Sequence, residues 1–407
     1  MTPPPGSHVA FLTYPAHGHV NPTLPVAAEL VRRGHRVSYV VAEQYAEAVR
    51  ATGATVLPYE SHVPKSWDTV AIPEEITGDV VAEAGLAQAL EGFASLRTAL
   101  GAFDDDRPDV FLYDAFGYPT GRLLARKWDV PAILLCSTFV ANERFSPYAS
   151  MAGKVPAPDP AHPALAKAAA VVEDALAEHL PGTSAAEFAQ GNEDTKLVFL
   201  PREFQPGGDT FDDGFAFVGP CLGDRAGGWT PPDSRPVLLI AMGSFGYHRQ
   251  REFFASCLEA FAGTPWHVVM TIGRLVSAAD LGPVPSNFEL HPWVPQPAVL
   301  SRASGFVSHA GMGSTMESLA LGVPPVVVPR TLEQEIVADR IAELGLGVRV
   351  DPADVDAETL RAAVTGLAED AVAHERVARM RAHITGAGGA AAAADRVEAR
   401  LTARPWE

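Results

Sequence analysis

Short apolar runs and segments of helical spacing alternate along most of this chain. Val9-Ala-Phe-Leu-Thr-Tyr14 reads as a buried strand, and residues 22–33 carry Leu24, Ala27, Ala28, Leu30 and Val31 at helical spacing before Gly34 closes the helix. Arg36-Val-Ser-Tyr-Val-Val41, Thr55-Val-Leu-Pro-Tyr59, Asp109-Val-Phe-Leu-Tyr113 and Ala132-Ile-Leu-Leu-Cys136 continue the strands, with helices such as residues 120–128 between them. Strand and helix in turn predict an α/β architecture with a doubly wound, mostly parallel sheet. Two stretches break the rhythm, residues 61–101 and the Ala- and Pro-rich residues 142–190. Mobile loops and helices are expected there, built over a cleft and facing a variable ligand. Gly, Pro and Asp then dominate residues 204–235, which marks a linker. Beyond it the alternation resumes with Val237-Leu-Leu-Ile-Ala-Met242, a helix near residues 250–261, His267-Val-Val-Met-Thr-Ile272, Phe288-Glu-Leu290, Phe306-Val-Ser308, Pro325-Val-Val-Val328 and Gly347-Val-Arg-Val350. The second half thus repeats the architecture of the first. Ligands in such sheets sit at the carboxyl ends of the strands.

Composition narrows the setting. At 407 residues, 47% of them apolar, the chain exceeds the roughly 250–300 residues at which single cores stop growing, so two domains with a cleft are expected. A net charge of −18 with no basic run argues against nucleic acid or an anionic membrane as partner. Cys136, Cys221 and Cys257 are odd in number, scattered and without a C-x-x-C pair, which fits reduced thiols and no structural zinc. No apolar run approaches the ~18–20 residues of a membrane span, and Met1 to Ser7 holds no basic residue. A soluble, cytoplasmic protein without membrane insertion is expected.

The chemistry concentrates at strand ends. Gly305-Phe-Val-Ser-His-Ala-Gly-Met-Gly-Ser-Thr-Met-Glu317 reads as a strand, a glycine turn and the first turn of a helix. Gly311 and Gly313 allow close backbone approach, and the free N–H groups at the helix start favour an anion. Ser314 and Glu317 share a helix face, where a hydroxyl meets a phosphate and a carboxylate accepts from ribose hydroxyls. An ordinary strand–Gly–helix turn has the same glycines. His309 and Ser244 both fall at carboxyl ends of strands in the second half. In the first half, His17 and His19 follow the first strand, either as turn residues or with one of them as a general base. Asp114 ends another strand of the same sheet, as a helix cap or as the partner of a His–Asp dyad. No G-x-G-x-x-G follows the first strand, which weakens a nicotinamide or flavin reading. Asp104-Asp-Asp106 and Asp354-Val-Asp356 match a formal D-x-D, yet each lies in a polar loop or at a helix start, where solvated capping is expected and no metal is assigned.

Four ordered motifs, His-Gly-His-Val-Asn-Pro (17–22), His-Pro-Trp-Val-Pro-Gln (291–296), Ser-His-Ala-Gly-Met-Gly-Ser-Thr-Met-Glu (308–317) and Pro-Arg-Thr-Leu-Glu-Gln (329–334), resemble the inverting nucleotide-sugar glycosyltransferases of the GT-B fold, especially the bacterial macrolide glycosyltransferases. The resemblance covers nearly the whole chain. It implies two Rossmann-like domains across a cleft: an acceptor domain at 1–215, a linker at 216–235, a donor domain at 236–385 and a terminal helix at 386–407 that returns to the first domain. By position it implies His19 as base with Asp114 as partner, Trp293 stacked on uracil with Val294 and Gln296 nearby, and His309, Gly311, Gly313 and Ser314 around the diphosphate. Glu317 would take the ribose hydroxyls, Glu333 and Gln334 the sugar hydroxyls, and Ser244 would close over the phosphates. Ser244-Phe-Gly-Tyr-His248 departs from the small-residue loop of the family. The implied co-substrate is a nucleotide sugar, UDP-glucose before a dTDP-deoxysugar, with no other cofactor and no metal. The implied acceptor is a macrolide or other hydroxylated small molecule, and a homodimer is compatible with the sequence. An epimerase, a cell-wall lipid glycosyltransferase and a non-catalytic partner protein are the alternatives.

Overall fold

The computed structural model describes residues 6–64, 71–73, 75–191, 193–223, 228–243, 246–247 and 249–402. In chain order the strands are β1 (His8–Leu12), β2 (Arg36–Ala42), β3 (Thr55–Tyr59), β4 (Ala71–Ile72), β5 (Val110–Asp114), β6 (Ala132–Cys136), β7 (Thr195–Val198), β8 (Phe215–Phe217), β9 (Val237–Ala241), β10 (Gly246–Tyr247), β11 (His267–Thr271), β12 (Phe288–His291), β13 (Ala303–Ser308), β14 (Pro325–Val327) and β15 (Val348–Arg349). They form a parallel sheet in the order β3-β2-β1-β5-β6-β7-β8 and a second in the order β12-β11-β9-β13-β14-β15. β1, β5 and β9 are buried along their whole length, as continuous apolar runs covered by helices on both faces must be.

Two strands of the first sheet were not legible in the sequence. β7 is short and carries Lys196, and β8 lies inside the Gly/Asp-rich stretch expected to be a linker, so the first sheet runs past residue 215. The two arrhythmic stretches hold 17-residue helices, Gly78–Ala94 and Pro163–His179, which pack on each other.

Three features join the halves. A core cluster mixes Phe139 and Phe204 of the first half with Ala310, Met312 and Met316 of the second, and the rings of Phe139 and Phe204 stack at 5.6 Å. The last helix, Gly389–Thr402, buries Ala393, Ala394, Val397 and Leu401 in the first core, and Arg33 clamps it through Asp395 (2.6 Å) and Glu398 (2.7 Å). The short β4 pairs in parallel with β10, Gly246 opposite Ala71 and Tyr247 opposite Ile72, so a segment of the first arrhythmic stretch meets the loop that follows β9.

Candidate active site

The carboxyl edges of the two sheets carry complementary chemistry. On the first, His19 lies on a one-turn helix, His17–Val20, directly after β1, and Asp114 is the last residue of β5, β1's neighbour. His19 Nδ1 lies 2.9 Å from Asp114 Oδ2. The other oxygen, Oδ1, accepts from the N–H groups of Phe116 (2.8 Å) and Gly117 (3.2 Å). One oxygen thus meets His19 and the other closes the turn before the helix Tyr118–Trp128, whose N-cap residue is Gly117 rather than Asp114. Ser137, one residue past β6, adds its Oγ at 3.2 Å from His19 Nδ1. A carboxylate accepts only, so Nδ1 carries the proton and Nε2 keeps a lone pair.

Burial alone would lower the His19 pKa, but Asp114, through its charge and its hydrogen bond, and more weakly the charge of Glu333 leave it above the ordinary 6.5. Asp114 is 1% exposed, whereas the His19 side chain keeps 22% exposure. Around it, the Tyr14 ring sits 5.4 Å from the imidazole, and Phe116, 47% exposed, packs edge-on to Tyr14 at 4.8 Å. Glu91, buried, accepts from Tyr59 Oη (2.8 Å), Ser61 Oγ (3.0 Å) and the N–H of His62 (2.7 Å), pinning the chain that leaves β3. Sequence reading passed over Ser137, Phe116 and Glu91; only Ser137 had a signal, its place at a strand end.

On the second sheet, β13 delivers His309 and the helix Met312–Leu321 follows. Ala310 between them has φ +63, a left-handed conformation that costs a non-glycine residue on the order of 1 kcal/mol or more. The ring of His309 fills the space between two glycines: a Cβ on Gly243 would lie 2.6 Å from its Nε2, and one on Gly311 2.3 Å. A Cβ on Gly313 would meet nothing within 4 Å, so the helix start is open on that side. Burial pushes His309 down to about 4, with the Ala241 backbone opposing and the charge of Arg330 adding to the fall. His309 is therefore neutral near pH 7, and its buried Nδ1 has no hydrogen-bond partner among the described residues.

Gln296 opens the short helix Gln296–Leu300 and donates to Ser314 Oγ (3.0 Å) and Glu317 Oε2 (2.8 Å), which joins three of the sequence-picked residues. Trp293 is 73% exposed, a bare aromatic face beside them. Val294 points the other way, into the core with Val237, Leu239 and Phe306, so only its backbone is left for a ligand. Glu333, in the first turn of the helix Leu332–Glu343, is exposed and acts electrostatically on His19 across the cleft. Gln334 is partly committed: its Oε1 accepts from the Arg330 N–H (2.8 Å) and its own N–H reaches Thr331 Oγ1, the helix cap. Ser244 lies outside the described residues. Of the D-x-D pairs, Asp106 pairs with Arg36 and Asp356 caps the helix Ala357–Glu369 through Thr359.

The family model described as "Erythromycin biosynthesis protein CIII-like, C-terminal domain" matches residues 256–399. The chain is 40% identical to the NDP-glycosyltransferase YjiC of Bacillus licheniformis, over 97% of this chain and 98% of that one. It is 36% identical to the oleandomycin glycosyltransferase of Streptomyces antibioticus, over 98% and 92%. A solved calicheamicin glycosyltransferase, 40% identical, superposes with a TM-score of 0.83 and covers 98% of this chain and 99% of that one. The chain belongs to the sugar-nucleotide-dependent glycosyltransferases of the GT-B fold, in the family that holds the bacterial macrolide glycosyltransferases.

Proposed function

We propose that this glycosyltransferase moves a hexose, foremost glucose from UDP-glucose, to a hydroxyl of a macrolide or similar natural product, with inversion and without a metal. The observation that carries the reading is the 2.9 Å contact between His19 and Asp114 at one sheet edge, opposite an open helix start at the other. With the proton fixed on Nδ1, Nε2 takes the proton of the acceptor hydroxyl. The acceptor oxygen attacks the anomeric carbon as the bond from that carbon to the β-phosphate oxygen breaks, and the electron pair leaves with the nucleoside diphosphate. Attack from the face opposite the leaving group turns an α-linked donor into a β-glycoside.

The start of the helix Met312–Leu321 and the neutral His309 N–H support the departing diphosphate. Trp293 offers its open face to the base, and the Gln296–Ser314–Glu317 cluster is preassembled for phosphate and ribose. Metal independence is supported by the engagement of one carboxylate of each candidate acidic pair, Asp106 in an ion pair and Asp356 in a helix cap. The aromatic surface of Tyr14 and Phe116 beside His19 suits an apolar acceptor carrying a hydroxyl.

One observation favours a second donor. Because Gln334 Oε1 is held by the Arg330 N–H, the Glu333–Gln334 pair has less free capacity for sugar hydroxyls than its sequence suggests, which lowers the penalty for a dTDP-deoxysugar. Nucleoside diphosphate release with UDP-glucose and a dTDP-2,6-dideoxysugar against a panel of hydroxylated natural products decides between them. No release with any donor would refute the functional reading.

A further inference from the structure

The donor cradle described so far contains little positive charge. His309 is neutral near pH 7, a helix N-terminus contributes only about half an elementary charge, and Glu317 and Glu333 add negative charge nearby. A nucleoside diphosphate gains charge as its bond to the sugar breaks, so a metal-free site needs a cation within reach.

Arg330 is placed for that task. It follows β14, whose Val327 pairs with Ser308, the residue before His309, so both reach the same sheet edge side by side. Its backbone is fixed by Gln334 Oε1. Its guanidinium carbon lies 4.5 Å from the ring centroid of Tyr247 and 5.1 Å from that of Phe253, a cation–π seat that fixes the group in place. No described carboxylate pairs with it, and its Nε is buried with no hydrogen-bond partner among the described residues. A half-buried guanidinium without an anion is costly in a folded protein unless an anion arrives in function. Its charge also reaches the neighbouring His309.

We propose that Arg330 is a phosphate-binding residue of the donor site, whose guanidinium meets the diphosphate and holds the charge released when the sugar–phosphate bond breaks. This rests on the reading of the site as a nucleotide-sugar cradle. The electron balance is that of the transfer itself: the acceptor oxygen bonds to the anomeric carbon, its proton goes to His19, and the electron pair of the broken bond stays on the β-phosphate oxygen beside Arg330.

The test compares binding of UDP and dTDP with binding of uridine and thymidine, by calorimetry, in the wild type, Arg330→Gln and Arg330→Lys. The diphosphates should weaken by about tenfold or more in Arg330→Gln, since hydrogen bonds to charged groups are worth about 1.5–3 kcal/mol. The nucleosides should bind as before, Arg330→Lys should recover part of the loss, and the wild-type affinity for UDP should fall with added salt. Unchanged UDP binding in Arg330→Gln overturns the proposal, as does an equal loss of UDP and uridine, which would mark Arg330 as a mere support for Tyr247. A wild type that binds neither UDP nor dTDP would instead overturn the donor-site reading itself, and this proposal with it.

Discussion

Asp114 divides its carboxylate between a histidine and the backbone: Oδ2 holds His19 Nδ1 at 2.9 Å while Oδ1 binds the N–H groups of Phe116 and Gly117, just before the next helix. In Asp114→Asn the backbone donors keep the amide oxygen, so the NH₂ faces His19 and forces the imidazole proton to Nε2. The base then points its proton, not its lone pair, at the acceptor. Loss of a general base typically costs about 10²–10⁴ in rate, and Asp114→Asn should fall in that range with its fold intact by circular dichroism.

The same pair sets the pH dependence. The base acts deprotonated, and its pKa is held above 6.5 by Asp114 against the opposing effect of burial. The rate should therefore rise with pH through a midpoint above 6.5. Removing the carboxylate leaves burial opposed only by the weaker charge of Glu333, so the midpoint in Asp114→Asn should move below that of the wild type. A kcat/KM profile of both proteins from pH 5 to 9 checks the order; coincident midpoints would separate Asp114 from His19.

Much of this was legible in advance, for reasons that differ by residue. Thr55–Tyr59 and Ala132–Cys136 are strands and Gln250–Phe261 a helix with the expected bounds, because each has one period and a clear stop. β8 was hidden since three residues among Gly and Asp show no period; helices were expected in both arrhythmic stretches, but the bounds of Gly78–Ala94 and Pro163–His179 were not, because alanines on every side blur the apolar face. His19, Asp114, Ser314 and Glu317 could be picked out because strand ends and helix starts announce themselves, whereas Gln296 came from the resemblance alone. Val294 and Gln334 were read by position alone, and their side chains turn out to serve the core and a helix cap. Arg330 carried no signal, since its meaning comes from Tyr247 and Phe253, which only packing brings to it.

Two glycines of the donor cradle should fail differently. Alanine at Gly311 would drive a methyl to 2.3 Å from His309 Nε2, displacing the ring and lowering thermal stability, at the roughly 1–3 kcal/mol typical of overpacking. Alanine at Gly313 meets no protein atom within 4 Å, so it should leave the melting temperature unchanged and weaken only nucleoside diphosphate binding. Thermal scans with and without UDP distinguish the two; a Gly313→Ala protein stabilised by UDP as strongly as the wild type would move the phosphate elsewhere.

Gln296→Ala removes the amide that joins Ser314 and Glu317 and leaves the carboxylate, 6% exposed, without that donor. Its KM for the donor should rise about two- to tenfold with kcat little changed, as expected for a neutral bond that orders the site before the reaction begins. A fall confined to kcat would assign Gln296 to the chemical step instead.

Activity should survive excess EDTA, because the proposed support for the leaving group is built from the protein. An absolute requirement for Mg²⁺ or Mn²⁺, restored by adding the ion back, would contradict this and bring the acidic pairs at Asp104 and Asp354 back into play.

The division of labour between the two sheet edges is tested most directly by His19→Ala, with turnover and UDP affinity measured on the same preparation. The base lies on the first sheet and the donor cradle on the second, so turnover should fall by about 10²–10⁴ while the calorimetric Kd for UDP stays within about twofold of the wild type, a change of under half a kcal/mol. Near-normal turnover in His19→Ala would contradict the account.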